Sequence, residues 1–361
     1  MSRIKSDRTL NCLEMITILY NLILLVTDIV TLGIIQQSKK LKIALGMCFV
    51  LMIGGVLLAI LLGKNGFDQM RLCSYAVFLH LTVVLIGCIL VSYRSNKLAT
   101  VFISIFVFLL IGVAVDAFLI EPKQLEQNTF TITSSKIRKP KRIVVLSDLQ
   151  ADQFRDFERK ALDFSVKQNP DLVLLTGDYF QTGDEFHRKS LIKAANSYLK
   201  SIRFDAPLGI YAVKGDVDEE DWTSIFVGTN VKTFVETQTF HVEDLCVTAL
   251  SRSDSRNISL KIPPESGFHI VFGHSPNFAR GDVSADLLIA GHTHGGQFQL
   301  PLIGPLYVHS KVPRKWAAGL TNLSGNRQLI VSRGIGMERG NAPQMRFLCK
   351  PELVIIDLVP Q

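Results

Sequence analysis

Four apolar runs of about twenty residues each, crowded into the first third of the chain, constrain its fold more than any other feature. They are Leu13–Ile35, Ile43–Gly63, Leu72–Ser92 and Leu98–Ile120. As a helix, each spans a hydrocarbon layer of about 30 Å. Ile43–Gly63 has no polar face at helical spacing, which excludes a half-buried helix of a soluble domain. No small-residue cleavage pattern follows Ile35, so the first run, though interrupted by Glu14 and Asp28, reads as a span and not a removable leader. The polar breaks Gln36–Lys42, Lys64–Arg71 and Tyr93–Lys97 are short enough to force neighbouring helices antiparallel. Ionisable residues inside a span are costly, and Asp28, His80 and Asp116 are expected to pair with one another or with polar neighbours within the bundle.

Composition agrees with a membrane part joined to a soluble part. Mean hydropathy is +0.27 and 20% of the 361 residues are charged. That is too apolar for an ordinary soluble enzyme and too charged for a pure transporter. Six Cys are far too few for a disulfide scaffold. The net charge of +7 sits mostly around the apolar runs, so residues 121–361 lack the basic face a nucleic-acid partner requires. An even number of spans puts both chain ends on one side. Arg3, Lys5, Arg8, Lys64 and Arg71 then oppose Lys39, Lys40, Lys42, Arg94 and Lys97, a tie. Lys123, Lys136, Arg138, Lys139, Lys141 and Arg142 tip it toward a cytoplasmic catalytic part. The expected division is a transmembrane region over 1–120 and a second domain over 121–361.

That second part reads as α/β, with layered β-sheets flanked by helices. Short apolar runs end in a repeated way. Arg142–Leu146 leads to Asp148, Leu172–Leu175 to Asp178, and Gly209–Val213 to Asp216 and Asp218. His269–Phe272 leads to His274, and Leu287–Ala290 to His292 and His294. In α/β sheets ligands bind beyond the carboxyl ends of strands. One Asp there is usually a helix cap; five strands ending in Asp or His are not explained that way. Carboxylates with imidazoles suit a hard or borderline divalent ion.

Asp148-x-Gln150, Gly177-Asp178, Gly215-Asp216-x-Asp218, Gly273-His274 and Gly291-His292-x-His294 resemble the five motifs of the calcineurin-like metallophosphoesterases. The apolar N-terminus, the run Gly291–Gln297 and the run Ser332–Gly336 resemble the membrane-anchored bacterial branch; the resemblance covers about residues 129–357 and not the membrane segments. The resemblance implies a dinuclear-metal hydrolase of phosphoester or pyrophosphate bonds in the bacterial inner (cytoplasmic) membrane. Asp178 would bridge two divalent ions. Asp148, Gln150 and His294 would complete one site, and Asp216, His274 and His292 the other, with a metal-bridging hydroxide as nucleophile.

Three positions depart from the family pattern. Gln150 replaces the usual His of the first motif, and Asp216 replaces an Asn in the third. Gln150 puts an amide oxygen where an imidazole nitrogen stands, Asp216 adds charge to a position that ligates through oxygen in either case, and this shift toward oxygen donors favours Mn over Fe or Zn. Val217 stands where the family has the His that protonates the leaving group, help typically worth about 10²–10⁴ in rate. Asp218 is the expected catalytic substitute, with Glu219 and Lys214 as others. Without a substitute, the chain would be a catalytically weak metal-binding scaffold or sensor. Arg333 and Arg339 flank a glycine-containing loop and are weaker candidates for phosphate binding. His187, His241, His269 and His309 fit no ligand spacing and read as surface or packed residues. The expected substrate is a phosphoester, lipid-linked in view of the four spans.

Overall fold

The computed structural model describes residues 12–38 and 40–361; Arg3, Lys5, Arg8 and Lys39, used in the sidedness count, lie outside them. The described residues form two compact units. One runs to Asp116 and includes Gly340–Gln344; the other comprises Ala117–Arg339 and Met345–Gln361.

Four helical segments, α1 (Cys12–Ser38), α2 (Leu41–Leu62), α3 (Gly66–Ser95) and α4 (Lys97–Lys123), are each long and apolar enough to cross a membrane. Their burial is inverted relative to a soluble bundle. Leu61, Leu90 and Phe108 face outward, whereas Asp28, Asp68, His80 and Ser92 are buried. Exposed apolar surface on this scale is compatible with a lipid-facing exterior. Inside, His80 Nδ1 lies 2.6 Å from Asp28 Oδ2, and its Nε2 lies 3.1 Å from Asn21 Oδ1. His80 sits on a π-helical turn, Ala76–Leu81. The expected internal pairing holds for Asp28 and His80; Asp116 instead begins the second π-turn, Asp116–Ile120.

In the second unit the strands of the two main sheets are, in chain order, β1 (Glu126–Ser134), β2 (Lys141–Leu146), β3 (Leu172–Leu175), β4 (Ile210–Val213), β5 (Val231–Phe234), β6 (Gln238–Val242), β7 (Leu245–Ala249), β8 (Phe268–Phe272), β9 (Leu287–Ala290), β10 (Gly319–Asn322), β11 (Gln328–Val331) and β12 (Glu352–Pro360). The first sheet has the order β1-β12-β2-β3-β4-β5 and the second β10-β11-β9-β8-β7-β6. Within the first, β2 through β5 are parallel, and β12 enters antiparallel to β2. In the second, β7, β8, β9 and β11 are parallel.

The central strands β3, β4 and β9 are four residues long, apolar and buried throughout because they are covered on both faces. Ile143, Leu174 and Val213 of the first sheet share one buried cluster with Val247, Ile270 and Ile289 of the second. The sheets therefore pack face to face. Helices α5 (Asp156–Lys167) and α6 (Glu185–Ser201) cover the outer face of the first through Ala161, Leu162, Leu191 and Ala195. Leu260, Ile262 and Phe278 cover the outer face of the second.

Breaking the Asp28–His80 pair strands a buried charge. His80→Ala should destabilise the helical unit by about 3–5 kcal/mol, and Asp28→Leu with His80→Leu should recover most of it. Thermal unfolding in detergent measures both; a double variant no more stable than His80→Ala contradicts the pairing.

Candidate metal centre

Five parallel strands, three from one sheet and two from the other, end at one edge of the sandwich. Asp148 follows β2, Asp178 follows β3 and Asp216 follows β4; His274 follows β8 and His292 follows β9. Main-chain bonds lock these turns together. Asp148 N–H donates to Gly177 O (3.1 Å), Gln150 N–H to Asp178 O (2.8 Å) and Gly291 N–H to His274 O (2.9 Å).

The backbone here is unusual. Asp148, Gln150, Asp178, His292 and His294 all have φ between 39° and 70°, a region costly for residues with a side chain. Gly177 and Gly215 lie main chain against main chain, and a Cβ on Gly215 would overlap the main chain and carboxylate of Asp178. The glycines beside the acids thus permit two loops to touch.

The donor atoms converge. One atom each from Asp178, His274 and His292 lies within 4.8 Å of the other two. His274 Nε2 is 3.3 Å from Asp178 Oδ2, and His292 Nδ1 is 3.2 Å from both Asp216 Oδ2 and His274 Nε2. Asp148 Oδ1 is 3.8 Å from His294 Nε2. Each of the two converging imidazoles is tied back through its other nitrogen. His274 Nδ1 lies 3.0 Å from Thr176 O and His292 Nε2 2.7 Å from His309 O. Such bonds fix the tautomer and aim the free nitrogen, as around metal-ligating histidines.

Two buried oxygens test whether an ion fits. Gln150 holds its amide nitrogen against Gln181 Oε1 (3.1 Å) and Glu338 Oε2 (3.0 Å), while its own Oε1, buried, accepts no hydrogen bond. Asp216 Oδ2 is buried without a hydrogen bond as well. Unsatisfied buried oxygens are rare, and an ion satisfies both. The donor set therefore fits divalent cations.

Electrostatics follow from the crowding. Burial, aided by the Asp178 charge, pushes Asp148 up to about 6. Burial alone would lower His274, but Asp178, Asp148 and Asp216 hold it up to about 10. Burial and cationic His274 push His292 down to about 4.

Several residues play parts that differ from expectation. Asp218 is buried, and its carboxylate accepts N–H bonds from Asp178 (2.8 Å), Tyr179 (2.7 Å) and Gly215 (2.8 Å). Every oxygen faces backbone, so it braces the loops and is not placed to protonate a leaving group. Lys214 is paired with Glu220. Arg333 turns to Glu126 (2.9 Å) and Glu352 (3.5 Å), which removes it from phosphate binding. Arg339 donates to Gln150 O (2.7 Å) and pairs with Asp152 (3.1 Å), supporting the first loop from behind. The Glu338 carboxylate accepts from the side-chain amides of Gln150 and Gln181.

Three arginines were not legible as site residues. Arg252 Nε (2.9 Å) and Arg256 Nη1 (2.8 Å) both donate to Asp216 Oδ1. Arg252 lies on the one-turn helix α7 (Arg252–Ser255) and Arg256 directly after it. Arg346 is fully buried and donates to the carbonyls of Arg333, Gly334, Gly336 and Cys349. It thereby holds the loop whose Gly336 N–H reaches Asp148 O at 2.7 Å.

Residues 141–296 match the family model described as calcineurin-like phosphoesterase. The phosphodiesterase YaeI of Escherichia coli strain K12 is 28% identical over 235 residues, 61% of this chain and 83% of that protein. An uncharacterized metallophosphoesterase of Bacillus subtilis strain 168, YkuE, is 28% identical over 265 residues, 66% of this chain and 87% of that protein. Among solved structures, a dimetal phosphatase from Danio rerio aligns with a TM-score of 0.32 and 11% identity, over 54% of this chain and 87% of that one.

The bracing part of Asp218 is testable. Asp218→Ala leaves three buried N–H groups without an acceptor and should cost about 3 kcal/mol or more, while weakening Mn²⁺ binding. Unfolding in denaturant with calorimetric Mn²⁺ titration reads both; unchanged stability contradicts the assignment.

Proposed function

We propose that this chain, which carries a calcineurin-like phosphoesterase domain and is a metal-dependent hydrolase, cleaves a phosphoester or pyrophosphate bond at the Asp178–His274–His292 cluster from a position anchored in the membrane. The observation that carries this reading is the pair of buried, unbonded oxygens on Gln150 and Asp216 beside two tied-back imidazoles.

Asp178 would be shared by two divalent ions. Asp148, Gln150 and His294 would complete one ligand set, and Asp216, His274 and His292 the other. When bound, such ions supply a nucleophile by acidifying a shared water and neutralise the phosphoryl oxygens. The predominance of oxygen donors favours Mn over Zn or Fe.

The arginines explain how the site tolerates an acid at position 216. Burial opposes ionisation of Asp216, but His274 and His292, and after them the two guanidinium groups on its Oδ1, hold it well below the usual carboxylate range and offset the added charge. Both arginine side chains remain nearly half exposed, at 45% and 46%. Their outer N–H groups are available to phosphoryl oxygens, for which guanidinium geometry is suited. A guanidinium does not give up its proton at neutral pH, so Arg252 and Arg256 stabilise charge without replacing the acid absent at Val217. The site therefore favours substrates whose leaving group departs unprotonated, such as aryl or pyrophosphate-linked esters.

The membrane part supports a lipid-linked substrate. Only Gln124 and Leu125 separate α4 from β1, and four spans exceed what anchoring requires. A cytoplasmic orientation follows from the positive charge after the last span.

Val217→His tests this assignment with the full-length protein in lipid nanodiscs and Mn²⁺. Turnover of an alkyl phosphodiester should rise by about 10²-fold, with little change for an aryl diester, and Asp178→Ala should abolish both. Parallel changes for the two leaving groups contradict the missing-acid reading, and activity surviving Asp178→Ala contradicts the site. A lipid-linked diester turned over no faster than its soluble headgroup analogue contradicts the lipid assignment.

A further inference from the structure

We propose that His241, Cys246 and Glu265 form a second cation site, separate from the catalytic cluster and selective for a thiophilic divalent ion such as Zn²⁺. One donor atom from each of the three lies within 4.8 Å of the other two. They come from two stretches that the fold brings together. His241 and Cys246 are direct register partners across the β6–β7 hairpin, so their side chains stand on the same face. Glu265 lies in the turn that enters β8. That turn is held against the hairpin by Phe268 N–H donating to Asp244 O (3.2 Å). Gly267 adopts φ +84°, and a Cβ there would meet Asp244 O at 2.7 Å.

The donors are not committed elsewhere. Cys246 is a free, buried thiol, and among the described residues none of the three side chains makes a hydrogen bond or ion pair. His241 is exposed and Glu265 half-buried, so both can turn toward Cys246. Zinc with sulfur, nitrogen and oxygen ligands needs donor separations of roughly 3.3–3.7 Å, a small contraction for two surface side chains. On binding, the thiol proton passes to solvent as the sulfur–metal bond forms, and water fills the fourth position. Of the three, Glu265 also lines a cleft of about 440 Å³, together with Lys136, His269 and Asp286.

Chemistry and distance separate this site from the catalytic one. His269, the register partner of Cys246 on β8, precedes His274 by five residues, roughly 16 Å of extended chain. A thiolate draws Zn²⁺, Co²⁺ or Cd²⁺, whereas the carboxylate-rich catalytic cluster suits Mn²⁺. The bound ion would join the edge hairpin β6–β7 to the turn before β8.

The test titrates Cd²⁺ and Co²⁺ into full-length protein in detergent, saturated with Mn²⁺, and follows thiolate-to-metal charge-transfer absorbance. A single band should saturate at one equivalent, vanish in Cys246→Ser, and weaken about tenfold or more in affinity in His241→Ala. It should persist in Asp178→Ala, which keeps the result independent of the phosphoesterase reading. No band, a band surviving Cys246→Ser, one lost in Asp178→Ala, or an affinity indifferent to His241→Ala each overturns the proposal.

Discussion

Face-to-face packing of two sheets, each with a parallel core, decides where the chemistry of this chain is placed. The inner faces interlock through aliphatic side chains such as Val145, Leu174, Val247 and Ile270. With that interface fixed, the carboxyl ends of β2, β3 and β4 and those of β8 and β9 come to one edge. Parallel strands all deliver their C-terminal turns to the same side, so acids from one sheet meet imidazoles from the other. Loss of inner-face packing would separate Asp178 from His274 before any ligand was changed.

The turns at that edge then hold backbone conformations that no local preference would choose. Five of the seven expected ligands lie at positive φ. Each such residue costs of order 1–3 kcal/mol, tolerated only where surroundings over-determine it. Here they do. Asp218 gathers three N–H groups from two loops, Arg346 gathers four carbonyls, and Gly177 and Gly215 let the main chains touch. The result is a rigid cradle of closely spaced donors.

Much of this was legible in the sequence for a physical reason. A short apolar run covered on both faces, then Gly and Asp or His, is a pattern that local residues carry by themselves. The four long apolar helices were legible likewise, because length and hydropathy are local. What escaped depends on contacts between distant segments. Arg333 looked available beside glycines, yet it is taken by Glu126 on β1, 207 residues away in sequence, and by Glu352 on β12. Arg252 and Arg256 belong to no motif and gain meaning only when α7 places them on Asp216. Asp218 was assigned chemistry from its position in the third motif, and only its three backbone donors show that it braces. The insertion of β12 between β1 and β2 joins residues more than two hundred apart, which no local pattern encodes.

The charge balance at the edge unites these observations. Asp148, Asp178 and Asp216 crowd around buried imidazoles, and the two external arginines reach only Asp216. Such a cluster is held together best by ions within it. We propose that Asp178 is shared between two of them. Electron paramagnetic resonance of the Mn²⁺-loaded, full-length protein tests it directly. Two ions sharing one carboxylate should give an exchange-coupled spectrum at two equivalents of Mn²⁺. Only the six-line signal of isolated Mn²⁺ at that stoichiometry would contradict it.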